Sequence, residues 1–404
     1  MNKNFDVTIV GGGMVGSALA CCLGASGLHV ALIEEQSPPA FSSDQPHDLR
    51  VSALSIASKN IMDTVGAWQG VASRRYCPFR RMRVWEQNGE TLFNSEDIHY
   101  PELGYIVENR VIQLAFLERL ENFENIRLFM PQTISKIEYD GAEAALVLGD
   151  GSTLRSKLMV AADGGHSRLR QSVGIGVTSW DYNQHALVIY IETAYGQQDI
   201  TWQRFLPSGP QAFLPLTGNY ASLVWYHSPD EVRRLQTLPA EQLKTELIAA
   251  YPQELGDVIR ILGVVSFPLK RQHAQSYVKP GVALVGDAAH MINPLAGQGV
   301  NIGLLDAAAL AEVVIQAHRQ GRDFADLRVL QDYEKQRRNE NLKMMTVMDG
   351  FYRFFSNDII PLKLLRNLGL GFAQRAAPLR LKIMKAAMGL EGRLPKLARG
   401  EHIL

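Results

Sequence analysis

Two periods of apolar spacing run along this chain, and the change from one to the other divides it. Phe5 to Val10 is a largely apolar, buried-strand pattern, and His29 to Ile33 is a second strand. Between them Ser17 to Ser26 has the small, mostly apolar residues of a buried helix, closed by Gly27. A polar stretch with Pro38, Pro39 and Pro46 predicts a loop from Ser37 to Asp48, and Arg50 then opens a predicted helix to about Val65. Arg80 to Phe93 reads as strands, and Ile106 to Asn109 leads into a helix from about Ile112 to Asn122. Ile126 to Leu154 predicts a β-meander with turns at Asp140-Gly141 and Asp150-Gly151, and Lys157 to Ala161 another strand. From Trp180 to Phe267 the texture changes to short alternating, aromatic-rich runs, with one helix near Ala240 to Tyr251. That pattern predicts a mostly antiparallel sheet. Val282 to Val285 is again a buried-strand run, and helical spacing resumes at Val300, then from Leu327 to about Met348.

The chemistry sits where strands end. Gly11-x-Gly13-x-x-Gly16 follows the first strand directly, and Glu34 ends the second. Strand, glycines, helix, strand and acid in that order form a dinucleotide fingerprint. In it Gly11 makes the turn, Gly13 admits a pyrophosphate, Gly16 lets helix and strand pack, and Glu34 bonds a ribose hydroxyl. A second site is predicted where Val285 runs into Gly286-Asp287 and a Pro- and Gly-rich turn. Asp287 at a strand end suits sugar or ribityl hydroxyls. Gly297 and Gly299 would let a planar ligand approach the backbone, and the N–H groups opening the next helix suit electron-rich oxygens. His290 is expected to be structural.

Composition narrows the picture. The 404 residues are 46% hydrophobic and 20% charged, and 41 basic residues balance 41 acidic ones. That is ordinary globular composition, and zero net charge offers no global attraction for nucleic acid. Cys21, Cys22 and Cys77 form no disulfide framework and no metal pattern, which fits a reducing cytoplasmic compartment. Val7 to Leu23 is apolar, but Gly11, Gly12 and Gly13 interrupt it, so neither a signal peptide nor a spanning helix is expected. The charged run Asp332 to Glu340 reads as a solvated helix face. From Phe351 to Met388, aromatic and aliphatic residues interleave with Arg and Lys, and no acid occurs between Asp358 and Leu390. Such a segment binds a membrane surface or a partner, or packs on its own protein.

Taken together, Val285-Gly-Asp-Ala-Ala-His290, Asn293-Pro-Leu-Ala-Gly-Gln-Gly299, Val300, Asn301, Gly303 and Asp306 resemble the second FAD motif of the p-hydroxybenzoate hydroxylase-like flavin monooxygenases. Ala162-Asp-Gly-Gly-His-Ser-Arg-Leu-Arg170 is similar to their Asp-Gly motif. The form Gly-Asp-Ala-Ala-His, then Pro-Leu-Ala-Gly-Gln-Gly-x-Asn-x-Gly-x-x-Asp306, resembles the ubiquinone-biosynthesis hydroxylase branch, some sister members of which carry His where this chain has Asn293. The resemblance implies an α/β fold in which a Rossmann-like FAD-binding domain is interleaved with a mostly antiparallel β-sheet substrate domain, followed by a helical C-terminal segment. It divides the chain into FAD-binding parts 1–75, 106–179 and 271–320, substrate parts 76–105 and 180–270, and a helical region 321–404. It implies FAD held by Gly11, Gly13, Gly16, Glu34, Arg50, Asp163, Gly164, Gly286, Asp287, Gly299, Val300 and Asn301. Pro294, Gly297 and Gly299 would lie at the reacting flavin. Related enzymes often carry Arg where this chain has Asn109. Phe205, Phe213, Leu214, Pro215 and Trp225 could line the substrate pocket. No metal is expected.

The implied reaction uses NAD(P)H and O2 through a C4a-hydroperoxyflavin to hydroxylate a polyprenylated methoxy-benzoquinol. The sequence agrees with an uncharged substrate: Arg204 is the only Arg or Lys between Trp180 and Leu216. A small aromatic acid would need a cationic grip. Partners implied by the resemblance are the polyprenyl quinol, O2, an assembly of ubiquinone-biosynthesis proteins and peripheral contact with the inner membrane. Homo-oligomerisation stays open. The rival readings are a sister hydroxylase acting at another ring position, a flavin dehydrogenase or oxidase without oxygen insertion, and a non-enzymatic prenyl carrier.

Overall fold

The computed structural model describes residues 2–87, 89–141, 143–252, 257–292, 299–355, 374 and 376–403. Its central sheet runs, in spatial order, Val282–Leu284, Thr153–Ala161, Asn2–Val10, Val30–Ile33, Ile126–Phe129, with every neighbour parallel. Val7, Ile9, Val30 to Leu32 and Leu158 to Ala161 are fully buried. Strands covered on both faces need such continuous apolar runs. From Val10 the chain crosses through the helix Met14–Leu23 to Val30 on one side, while the neighbour on the other side, Thr153–Ala161, arrives much later. The carboxyl ends of these strands therefore flank a topological switch point, the place where open α/β sheets bind ligands.

The predicted meander splits. Ile126–Phe129 joins the parallel sheet at its edge, and only Ile134–Tyr139, Ala144–Leu148 and Thr153–Ala161 run back and forth. Arg50 does not open a helix. Val51–Ser55 is a strand, paired with Gly104–Glu108, which also pairs with Cys77–Phe79. The helix starts only at Ile56, capped by the Ser55 hydroxyl accepting from Ser58 N. Cross-strand pairing overrides local propensity here.

A second sheet of eight strands carries the aromatic-rich region. Its order is His290–Met291, Val258–Ala274, Val177–Thr193, Tyr220–His227, Gln211–Pro215, Ile200–Arg204, Arg81–Glu86, Gly89–Asn94. All pairings are antiparallel except that of Ile200–Arg204 with Arg81–Glu86. Helices Pro229–Thr237 and Ala240–Ala250 cover one face. The first face packs Leu187, Ile189, Phe213, Leu223 and Trp225 into a core beneath them. The alternate residues Val188, Ala212, Leu214, Ser222 and Val224 line a cleft on the other face.

The long helix Leu327–Phe355 corrects the reading of its charged run as merely solvated. Arg337 is 3% exposed, with its guanidinium turned inward, and Glu334 accepts from Tyr277 N at 2.7 Å. Of the apolar-basic segment from Phe351 to Met388, residues 356–373 and 375 lie outside the described residues. Its described parts pack on the protein: Phe355 stacks on Phe205 at 4.4 Å, and Met384 and Met388 are buried in the main core. The helix Gly299–Arg319 is long and apolar enough to span a bilayer, but most of it is buried inside the protein as a core helix.

Candidate active site

A cleft of about 400 Å³ opens between the strand ends of the parallel sheet and the free face of the second sheet. Gly13, Ala162, Gly164, Val285 and Asp287 line one side, Arg50, Ser52 and Asn109 come from the three-stranded sheet and its junctions, and Gly299 and Val300 open the helix at the floor. The predicted motifs, far apart in sequence, meet here.

Their glycines fall into two kinds. A Cβ on Gly11, whose φ is +103°, would stand 2.4 Å from Ala162 O, and one on Gly16 would stand 1.9 Å from Gly11 O. These glycines are required by packing. A Cβ on Gly303 would stand 2.6 Å from a Val15 methyl, so helix Gly299–Arg319 packs closely on the first helix. By contrast, a Cβ on Gly13, Gly164 or Gly299 would meet nothing within 4 Å among the described residues. Those three line the cleft, and their missing side chains leave room for a ligand.

The acids divide in the same way. Asp306 is fully buried and accepts from Gly286 N at 3.2 Å, His290 Nε2 at 2.5 Å, Arg337 Nε at 2.9 Å and Asn341 Nδ2 at 3.0 Å. Burial alone would raise its pKa, but His290, Arg337 and Asn341 outweigh it and bring the carboxyl down to about 2. His290, 2% exposed, is bound into this network, as expected of a structural histidine. Asp287 has no hydrogen-bond partner among the described residues. It is reachable by solvent yet sits at the bottom of the cleft. Its surroundings raise its pKa through desolvation, against the pull of His290 and Arg50.

Asp163 uses Oδ2 to accept from Arg168 N at 2.8 Å and Leu169 N at 3.3 Å, while its buried Oδ1 has no partner. Glu34 accepts from Gly12 N at 2.7 Å through Oε2 and from Gln36 N at 3.2 Å through Oε1, which holds the glycine turn against the second strand. An unpartnered buried Asp163 oxygen, a free Asp287 carboxylate and three glycines open to the cleft fit a group with a pyrophosphate and several hydroxyls. Carboxylates accept from sugar hydroxyls, and an exposed helix start accommodates an anion.

Other predicted residues are placed differently. The Asn301 side chain points into protein: Oδ1 accepts from Ser55 N at 2.9 Å and Ser58 Oγ at 2.7 Å, and Nδ2 donates to Ala53 O at 2.8 Å. Only its backbone remains for a ligand. Pro294 and Gly297 lie outside the described residues. Of the five candidate pocket residues, Leu214 lines the cleft. Phe213 stacks on Trp202 at 5.5 Å and Trp225 packs on Tyr251, both in the core under the two helices. Phe205 packs on Phe355, and Pro215 shares the face of Phe213, two residues along the same strand. The strand period sends alternate residues to opposite faces, and size alone did not indicate which face was open.

Sequence reasoning missed Ser222, Met291 and Lys270, all of which line the cleft. Ser222 alternates with Leu223, so choosing the parity of the strand would have found it. Asn109 lines the cleft too and accepts from Ser52 Oγ at 2.7 Å, while the adjacent Arg110 pairs with Asp48 at 2.7 Å.

The chain is similar to known proteins along nearly its whole length. A family profile described as an FAD binding domain matches residues 4–347. The 3-demethoxyubiquinol 3-hydroxylase of Escherichia coli is 43% identical over 390 residues, spanning 96% of this chain and 100% of that protein. Ubiquinone hydroxylase UbiL of Rhodospirillum rubrum is 39% identical over 408 residues, 99% of this chain and 94% of that one. Among solved structures, a p-nitrophenol 4-monooxygenase of Pseudomonas putida superposes with a TM-score of 0.78 over 97% of this chain and 99% of its own, at 19% identity, a likeness of fold alone.

Proposed function

From the premise that this chain belongs to the FAD-binding hydroxylases of ubiquinone biosynthesis, we propose that it hydroxylates the ring of a polyprenylated methoxy-benzoquinol, using NAD(P)H and O2. The observation that carries this reading is the cleft's two unlike sides. A side with hydroxyl- and phosphate-binding groups, Asp287 and the open glycines, faces a sheet wall of Val188, Ala212, Leu214 and Val224.

When bound, FAD would supply the redox chemistry of hydride acceptance from NAD(P)H and activation of O2, with one oxygen atom going to the ring and the other to water. The protein's own groups bind, orient and exclude water. Gly13 starts the first helix and leaves its N–H groups open to a pyrophosphate. We assign Asp287 to the ribityl hydroxyls, Glu34 to a ribose hydroxyl and the free Asp163 oxygen to the pyrophosphate region. Pro294, Gly297 and the backbone of Gly299 to Asn301 are assigned to the flavin ring. Arg50 stands in the cleft near Asp287 and contributes positive charge there. The aliphatic wall keeps water from the reacting ring, where activated oxygen would otherwise be lost as peroxide. An uncharged ring with a prenyl tail suits that wall, each buried methylene contributing about 0.8 kcal/mol.

The interleaved division 1–75, 106–179 and 271–320 against 76–105 and 180–270, with a helical region 321–404, is part of the same reading. So are a cytoplasmic location and peripheral contact with the membrane that holds the substrate. The relative named for ubiquinol 3-hydroxylation supports a choice of ring position, and an assembly with other proteins of the pathway is compatible with it.

The test is turnover under labelled dioxygen with a short-tailed methoxy-benzoquinol. One labelled oxygen should enter the ring, with one NAD(P)H consumed per product. Labelled peroxide with no labelled ring product would move the protein to the oxidase reading.

A further inference from the structure

Ser222 lies on the cleft face of the second sheet, 2% exposed, and its buried hydroxyl has no hydrogen-bond partner. The face is settled by its neighbours: Leu223 and Trp225 enter the core under the helices, while Val224 lines the cleft with Ser222. Across the strands Ser222 stands beside Leu214 on one side and Tyr190 on the other. Leu214 offers no polar atom, and the Tyr190 hydroxyl is engaged with His47 Nδ1 at 2.9 Å.

A buried hydroxyl without a partner is unfavourable, because its hydrogen bonds to water are lost and none replaces them. Alanine would fill almost the same volume without that cost. The hydroxyl therefore adds nothing to the folded protein, and the one open direction on its face is the cleft. A serine hydroxyl both donates and accepts. It can accept from a ring hydroxyl or donate to a hydroxyl or methoxy oxygen, but it cannot neutralise a carboxylate.

We propose that Ser222 is a specificity-determining residue that hydrogen-bonds one ring oxygen of the quinol and so fixes the rotation of the ring in the cleft. This rests on the hydroxylase reading for the identity of the ligand. A site built around one polar contact in an apolar wall rejects analogues that lack the matching group. Ring rotation decides which carbon meets the flavin, so the contact sets ring position as well as affinity.

The experiment compares the wild-type holoenzyme with Ser222→Ala. Dissociation constants are read anaerobically from the shift in flavin absorbance on binding. Four short-tailed ligands are used: the methoxy-benzoquinol, an analogue with ethyl in place of methoxy, and two analogues each lacking a different one of the two ring hydroxyls. Ser222→Ala should weaken the parent quinol about tenfold, the size of one neutral hydrogen bond. The melting temperature should stay the same or rise. One analogue should bind both proteins alike, and which one it is names the oxygen. Equal weakening for all four ligands, or none for the parent, overturns the proposal. If the wild-type enzyme forms no labelled ring product, the hydroxylase reading fails, while the pattern of dissociation constants still decides the role of Ser222.

Discussion

Asp287 and Asp306 belong to one stretch of chain and have opposite surroundings. Asp306 is sealed from solvent and accepts from four donors, and its pKa falls from the usual 3.8 to about 2. Asp287 stands at the cleft floor, has no partner among the described residues, and its pKa is raised by desolvation. One carboxylate is used to build the site, and the other has no partner among the described residues, as its proposed contact with ribityl hydroxyls needs. An acid in a motif thus says little about its role until its donors are known. Where the protein supplies the donors the acid is an anchor, and where it withholds them a bound group is expected to supply them.

The strongest way to break this contrast is at Asp306. Asp306→Ala leaves Arg337 buried without its counter-charge, and removing one member of a buried pair typically costs about 3–5 kcal/mol. Urea unfolding should show that loss. Arg337→Met in the Asp306→Ala background should cost far less than it does alone, because the two act as one unit. Additive losses would show that Asp306 is not their common node.

Asp287 should behave in the reverse manner. Asp287→Asn should weaken FAD by about 1.5–3 kcal/mol, roughly 10- to 100-fold, the range for a hydrogen bond to a charged group. The apoprotein should melt no lower than wild type. Undiminished flavin affinity in this variant would remove Asp287 from the cofactor site.

The smallest expected effect is in pH dependence. A carboxylate with a depressed folded pKa stabilises above its unfolded value, and that stability is lost as pH falls through the folded value. Asp306 should therefore contribute an acid-side loss between pH 3.8 and about 2, absent in Asp306→Ala. Asp287 has the opposite sign: its raised pKa means that ionisation opposes folding of the apoprotein as pH rises. Asp287→Asn apoprotein should gain relative to wild type toward neutral pH, a gap that closes in acid. A common acid profile for both variants would contradict the distinction.

Much of this was legible from residues alone. The fingerprint Gly11 to Glu34, the Asp163-Gly164 turn and Gly286-Asp287 carry local signals, because their backbone must turn sharply at a strand end. The sheet wall was not legible. Phe213 and Leu214 are adjacent and equally apolar, and which of them faces the cleft depends on helices Pro229–Thr237 and Ala240–Ala250 covering the other face. Arg337 was misread because a charged run looks solvated until its partner, Asp306, is brought to it from another helix. Strand parity would have put Ser222 on the face opposite Leu223, but its lack of a hydrogen-bond partner is a property of its surroundings and carried no sequence signal.

The helix Leu327–Phe355 touches both sides of the cleft's framework. About its middle, Arg337 and Asn341 hold Asp306, and through it Gly286. Near its end Asp349 pairs with Arg271 of the second sheet and accepts from the Tyr182 hydroxyl. At about 1.5 Å of rise per residue, the span from Arg337 to Asp349 is roughly 18 Å of stiff rod. That rod works as a ruler between the flavin-side floor and the sheet that carries Ser222. Oxygen transfer tolerates little error in the separation of the reacting atoms. Inserting or removing a residue between Arg337 and Asp349 would therefore shift one side of the cleft against the other, because residue count along one helix spaces the two contacts.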